Sequence, residues 1–266
     1  MVLNIKVQTL NCMTHFKNLT SRITSKSKLL KCSVSLVVLT LFQNIAFADV
    51  IPNFNAHFNV YAIGMKLGSS HHSLNCQNSD CTLKAISKPQ GLAKLLLNES
   101  SEETIKLTQT NRDFIWESYE KHHGKDLNDP NKFKVDRFFV NYQPPQILNP
   151  ATKKSWPLQN QIYDSISLAY AIQFNVLNER PLNNFYLQDR KRQEFLALKN
   201  AFSSTDLELD NGQKLQKAQL FEFETPRAKV KVWLLPSYPY FPGRVEVYNR
   251  EKDKTLTLIL QEPPKI

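Results

Sequence analysis

The sequence predicts a mainly β fold: an antiparallel open barrel or sandwich of about a dozen short strands with one helix packed on it. Two patterns carry this. Short runs alternate apolar and polar residues with period two between turn residues, and one stretch alone repeats its apolar residues every three to four positions. The length that remains once a leader is set aside also suits a single β domain.

The leader comes first. Residues 1–48 hold six basic side chains (Lys6, Lys17, Arg22, Lys26, Lys28, Lys31) and no Asp or Glu. An apolar run follows from Val34 to Phe42, and the segment closes on Ala46-Phe47-Ala48. A positive flank, a short apolar core and small residues at the −3 and −1 positions make a secretory signal, cleaved here after Ala48. The run falls short of the roughly 20 residues a spanning helix needs, so an uncleaved anchor is the weaker alternative. Met13 is an alternative start to Met1. Cys32 stands at the front of the apolar run, whereas a lipoprotein signal places its Cys at the far end. The expected organisation is a leader over 1–48 and one domain over 49–266, delivered to the periplasm. Nothing in 49–266 is apolar for long enough to cross a bilayer as a helix.

Composition narrows the function. The formal charge of +10 includes the six leader cations, and the remaining 28 Lys and Arg face 24 Asp and Glu. So mild an excess gives no argument for nucleic-acid binding. Six glycines in the whole chain leave little from which to build a phosphate-cradling loop.

The first strand is Phe54 to Val60, with Phe54, Ala56, Phe58 and Val60 on one face and Asn55, His57 and Asn59 on the other. Cys81 to Ile86 answers it across a loop, Gln77-Asn78-Ser79-Asp80, flanked by Cys76 and Cys81. An even cysteine count in an oxidising compartment predicts a Cys76–Cys81 disulfide, a local staple of a short loop. The alternative is a metal site of His71, His72, Cys76 and Cys81. Adjacent strand histidines point to opposite faces and make a poor ligand pair. Thr104–Thr108 and Asp113–Tyr119 form the next pair, His122 to Pro130 reads as a loop, and Lys132–Val140 as a strand. Gln143-Pro144-Pro145 and Asn149-Pro150 then break regular structure.

One helix follows, capped by Asp164, with Ser165 in its first turn. Ile162, Ile166, Ala169, Tyr170, Phe174 and Leu177 give it a single apolar stripe, and Pro181 ends it. Strands return at Phe185–Gln188, Gln193–Leu198, Thr205–Leu209, Leu220–Glu224, Ala228–Trp233, Arg244–Tyr248 and Thr255–Leu260. Asp210-Asn211-Gly212 marks a turn.

Three elements in order carry a family likeness. They are Phe54-x-Ala56-x-Phe58-x-Val60 with Gly64 and Gly68, Asp164-Ser165-Ile166-Ser167-Leu168, and Trp233-Leu234-Leu235-Pro236 followed by Pro242-Gly243-Arg244-Val245-Glu246-Val247. Together, behind a signal, they resemble the bacterial envelope family called domain of unknown function 3108. The resemblance implies a secreted, mostly β protein and supplies no catalytic residue. The chain departs from that pattern in the Cys76–Cys81 loop and around Tyr238 to Pro242.

No Gly-x-Ser-x-Gly elbow occurs. Asp164 and Ser165 read as a helix cap before they read as catalytic groups. Asp206, Glu208 and Asp210 share one face of a strand and read as a solvated edge. Asp189-Arg190-Lys191-Arg192 reads as a charged turn, or as a contact for anionic lipid headgroups. Tyr238-Pro239-Tyr240-Phe241-Pro242-Gly243 is a stiff aromatic loop. Its rings either recognise a ligand through Tyr238, Tyr240 and Phe241 or cap the barrel end. The function expected is that of a non-enzymatic binding or assembly factor for an envelope lipid, glycan or protein, without a cofactor. A cell-envelope hydrolase is the alternative; it requires convergent carboxylates or a Ser–His pair in a cleft, and the positions of His57, Asp164, Ser165 and Glu222 discriminate it.

Overall fold

The computed structural model describes residues 49–91, 93–94, 99–210 and 216–266. The expected leader with its cleavage site, and the Asn211-Gly212 turn, lie outside these residues.

Fifteen strands form one sheet. In chain order they are β1 (Phe54–Ala62), β2 (Met65–Gln77), β3 (Asp80–Pro89), β4 (Ser100–Gln109), β5 (Phe114–Gly124), β6 (Phe133–Tyr142), β7 (Pro145–Asn149) and β8 (Lys154–Pro157). After the short β9 (Ile162–Tyr163) comes the helix α1 (Ser167–Leu177). Then follow β10 (Phe185–Gln188), β11 (Gln193–Leu207), β12 (Gln216–Glu224), β13 (Ala228–Leu235), β14 (Phe241–Asn249) and β15 (Lys254–Leu260). The spatial order is β8-β7-β6-β5-β4-β3-β2-β1-β15-β14-β13-β12-β11-β10-β9. Two meanders thus run outward from a central β1–β15 pairing, and every pairing is antiparallel except β9 with β10.

The sheet wraps around α1. The helix packs against β9, β5 and β14, and β5 and β14 are six strands apart in the sheet. At about 4.8 Å per strand a flat sheet would separate them by roughly 29 Å, far more than one helix diameter. The edges β8 and β9 do not pair, so the barrel stays open. Gln193 Nε2 donates to Pro157 O across the gap at 3.0 Å.

The core is aromatic. Phe54 lies 5.0 Å from Tyr170 and 4.9 Å from Phe241, while Phe114 lies 5.6 Å from Phe174. Sequence periodicity predicts one apolar stripe on the helix; instead, all residues from Ser167 to Asn175 are buried. Each polar side chain named among them makes at least one hydrogen bond, although Gln173 Oε1 is buried without a partner. Ser167 Oγ donates to Asp164 Oδ2, Gln173 Nε2 to Pro239 O and Asn175 Nδ2 to Pro181 O. Asp164 does cap the helix: Oδ1 accepts from the Ile166 and Ser167 N–H groups at 2.8 and 3.1 Å. Asn178 ends it, followed by Glu179 in the left-handed region at φ 52°.

Several boundaries differ from the sequence expectation. His122 to Gly124 continue β5, where the histidines and glycine suggest a loop. The proline-rich stretch forms the short strands β7 and β8, in which proline stands only at a strand end: Pro145 opens β7, which pairs with β6 and β8, and Pro157 closes the edge strand β8. Asp210 is no solvated edge group: it accepts hydrogen bonds from Asn59 Nδ2 and from Tyr61 OH, the latter at 2.7 Å. Those bonds tie the chain after β11 to the central strands.

Candidate functional site

Inward-facing residues line up in rungs across β1 to β6, and the rungs change character along the barrel. The first reads Phe54, Leu74, Leu83, Ile105, Tyr119, Phe138. The next reads Ala56, His72, Ala85, Glu103, Lys121, Asp136. The third reads Phe58, Ser70, Ser87, Ser101, His123, Lys134. The lumen is therefore apolar where α1 fills it and polar towards one mouth.

That mouth opens as a cleft of about 360 Å³. Ser87, Ser101, Lys121 and His123 supply its polar side, and Val60, Leu67 and Leu256 its apolar side. Gly68 stands between them. A Cβ there would collide with the Lys88 carbonyl oxygen, so only glycine lets β2 and β3 approach so closely.

Buried hydrogen bonds organise the polar wall. Ser87 Oγ and Ser70 Oγ are 2.8 Å apart, Ser70 Oγ lies 3.0 Å from His72 Nε2, and His72 Nδ1 lies 2.8 Å from Tyr170 OH. The chain joins the cleft to the helix. Burial, reinforced by the neighbouring His71, pushes His72 down to about 3, so its ring is neutral at physiological pH. Burial alone raises Tyr170 well above the ordinary phenol range. Beside them Glu103 accepts from Tyr119 OH at 2.8 Å and from Lys121 Nζ at 2.9 Å. Burial, then the Glu103 charge, raises Tyr119 and keeps its hydroxyl a donor. At the rim, His123 Nε2 lies 3.6 Å from Asp136 Oδ2.

Ser70 and His72 resemble part of a nucleophile–base pair, but the geometry is wrong for acyl transfer. Ser70 is 2% exposed, which no substrate carbonyl can reach, and a histidine that protonates near pH 3 is a weak base. The four residues singled out for hydrolysis do not converge. His57 stacks on His71 at 4.5 Å on the outer face, and Glu222 pairs there with Lys231 at 2.8 Å. Asp164 is buried beneath the helix, holding Trp116 Nε1 at 2.9 Å, and Ser165 is exposed. Burial pushes the Asp164 carboxyl up against the pull of its Ser167 and Ile166 donors.

Cys76 and Cys81 face each other across the β2–β3 ladder and are joined by a disulfide. That bond takes both sulfurs from the metal alternative, and His71 and His72 project to opposite faces of β2. Among the described residues no cluster of three or more potential ligands occurs. The aromatic loop lies at the far end from the cleft. Phe241 is 1% exposed and packs into the core, which removes it from surface recognition. Tyr238 and Tyr240 are half-buried against the same core. In the sequence His72 stands out only as a ligand of the alternative metal site, and Ser70 and Ser87 do not stand out, although a spacing of two on β2 places Ser70 and His72 on one face.

Fold and cleft together define an open β-barrel with a helix in its lumen and an amphipathic mouth. No family model matches the chain, so the resemblance to domain of unknown function 3108 is not confirmed, and no curated protein matches it. Among solved structures it is similar to a β-barrel-like protein of domain of unknown function 1849 from Brucella abortus. The two share 8% identity over 80% of this chain and 97% of that one, with a TM-score of 0.51. A protein of Parabacteroides distasonis, provisionally called a lipoprotein, is aligned over 81% of this chain and 96% of its own at 8% identity, with a TM-score of 0.30. The first likeness concerns the fold alone. No helix among the described residues is long and apolar enough to cross a membrane.

Proposed function

We propose that this chain is an exported envelope protein that binds an amphiphile, a lipid-like molecule with one acyl portion and a polar head, at the mouth of its barrel. The carrying observation is the two-sided cleft, with hydroxyl and amine groups on one wall and aliphatic side chains on the other. An apolar pocket with a few convergent polar groups is the usual form of a small-molecule site. Its volume suits a short acyl segment and part of a head group, while the helix closes the rest of the lumen. The secretory features of residues 1–48 support delivery to the periplasm.

Native mass spectrometry of protein released from the cell envelope tests this. The expected spectrum carries an adduct of lipid mass, and Val60→Asp removes it by placing a charge on the aliphatic wall. A wild-type spectrum without any adduct, or an adduct that persists in Val60→Asp, would overturn the proposal.

A further inference from the structure

The turn between β1 and β2 is built against its own stability. Ile63 and Gly64 form a two-residue hairpin loop with φ of 51° and 73°. Such loops favour Asn, Asp or Gly, and a β-branched residue at positive φ is strained. Ile63 nevertheless occupies that position and is 68% exposed, with Met65 beside it at 62%. Folding gains nothing from either choice. An apolar medium outside the protein would reward both.

The tip lies at the cleft end of the barrel. Ala62 pairs with both Met65 and Leu256, and Leu256, itself 42% exposed, lines the cleft. Cations surround it. Lys66, Lys88, Lys252 and Lys254 are exposed and, among the described residues, make no ion pair. The neighbouring turn after β10 reaches the same rim, since Arg192 pairs with Glu251 at 3.3 Å. There Arg190 and Arg192 are held by carboxylates, which leaves Lys191 exposed and unpaired. Glu251 is likewise occupied by Arg227. Against these lysines stand two exposed carboxylates that make no ion pair among the described residues: Glu99 of the cleft, and Asp253 between Lys252 and Lys254, which accepts from Tyr248 OH at 2.9 Å.

We infer that this rim is a membrane-docking surface: Ile63 and Met65 insert between the headgroups of an anionic phospholipid layer, the surrounding lysines bind its phosphates, and the cleft faces the bilayer. Apolar side chains ringed by lysines gain both from acyl burial and from the negative surface potential. The inference rests on the amphiphile-binding reading for its purpose, since a mouth held against the bilayer can exchange lipid with it.

Sedimentation with vesicles tests it, using equimolar phosphatidylglycerol and phosphatidylcholine against phosphatidylcholine alone. Wild-type protein released from the envelope is expected to bind the anionic vesicles about tenfold more tightly than the neutral ones. The Ile63→Asn, Met65→Ser pair is expected to weaken anionic binding about tenfold, with an unchanged or higher melting temperature because Asn suits the turn. Lys66→Glu with Lys254→Glu weakens it further. Equal binding of wild type and the Ile63→Asn, Met65→Ser pair would overturn the inference, as would absence of wild-type binding. Native mass spectrometry of the same variants separates the two readings. A lipid adduct without vesicle binding sinks docking alone, and docking without an adduct sinks the cleft alone.

Discussion

His72 shows how one side chain couples the cleft to the stability of the whole. The folded chain protonates it only near pH 3, whereas an unfolded histidine takes up a proton near 6.5. Its pKa is depressed on folding, so the unfolded state binds more protons between those values. Stability is therefore complete above about pH 6.5 and falls as the pH drops towards 3. Between pH 6.5 and 4 this amounts to about 3 kcal/mol. Urea titrations across that range should show wild type losing about that much more stability than His72→Gln, which keeps a hydrogen-bonding side chain. Parallel losses would contradict the buried neutral ring. Period-two alternation put Ser70 and His72 on one face in principle. The Ser87 contact was not legible, because register between strands depends on which residues meet across β2 and β3.

Among the elements, α1 departs most from its sequence pattern. Its apolar residues do recur at helical spacing, but burial extends around the whole surface. Periodicity detects an apolar face; it does not detect that the Gln173 and Asn175 NH2 groups donate to backbone carbonyls of distant or following residues. Phe174 is 0% exposed, and Phe174→Ala should cost about 4 kcal/mol in chemical denaturation. A loss near 1 kcal/mol would mean that the helix is not enclosed. The β strands were more legible, since β10 and β15 follow directly from alternation and turn residues. β7 and β8 were obscured by Pro144, Pro145 and Pro150, which read as breakers but stand in the turns or, for Pro145, at the first position of β7. The Cys76–Cys81 bridge closes a loop with a sequence separation of 5. Its reduction should lower stability by about 2 kcal/mol and leave vesicle binding unchanged, since it stands at the opposite end from the Ile63 tip.

At the scale of the molecule, the central pairing of β1 with β15 brings the first and last strands of the sheet together, and one helix fills most of the enclosed space. The apolar end is closed by aromatic rings, among them Phe241. Of the two readings the aromatic loop allows in sequence, recognition or capping of the barrel end, Phe241 follows the second and contributes to the core. The polar end remains open, and the contrast between its walls appears only when strands from both meanders meet at the mouth. Mainly β architecture could be read from local patterns, whereas this cleft arises from residues as distant as Val60, Ser87, Lys121 and Leu256.

Titration with a fluorescent acyl probe such as cis-parinaric acid addresses the cleft most directly. Wild-type protein is expected to bind one probe per chain saturably. Ser87→Trp, which fills the space beside the polar wall, should weaken that binding about tenfold while the circular dichroism spectrum stays the same. Non-saturable binding to wild type, or equal affinity in both proteins, would contradict an amphiphile site at the barrel mouth.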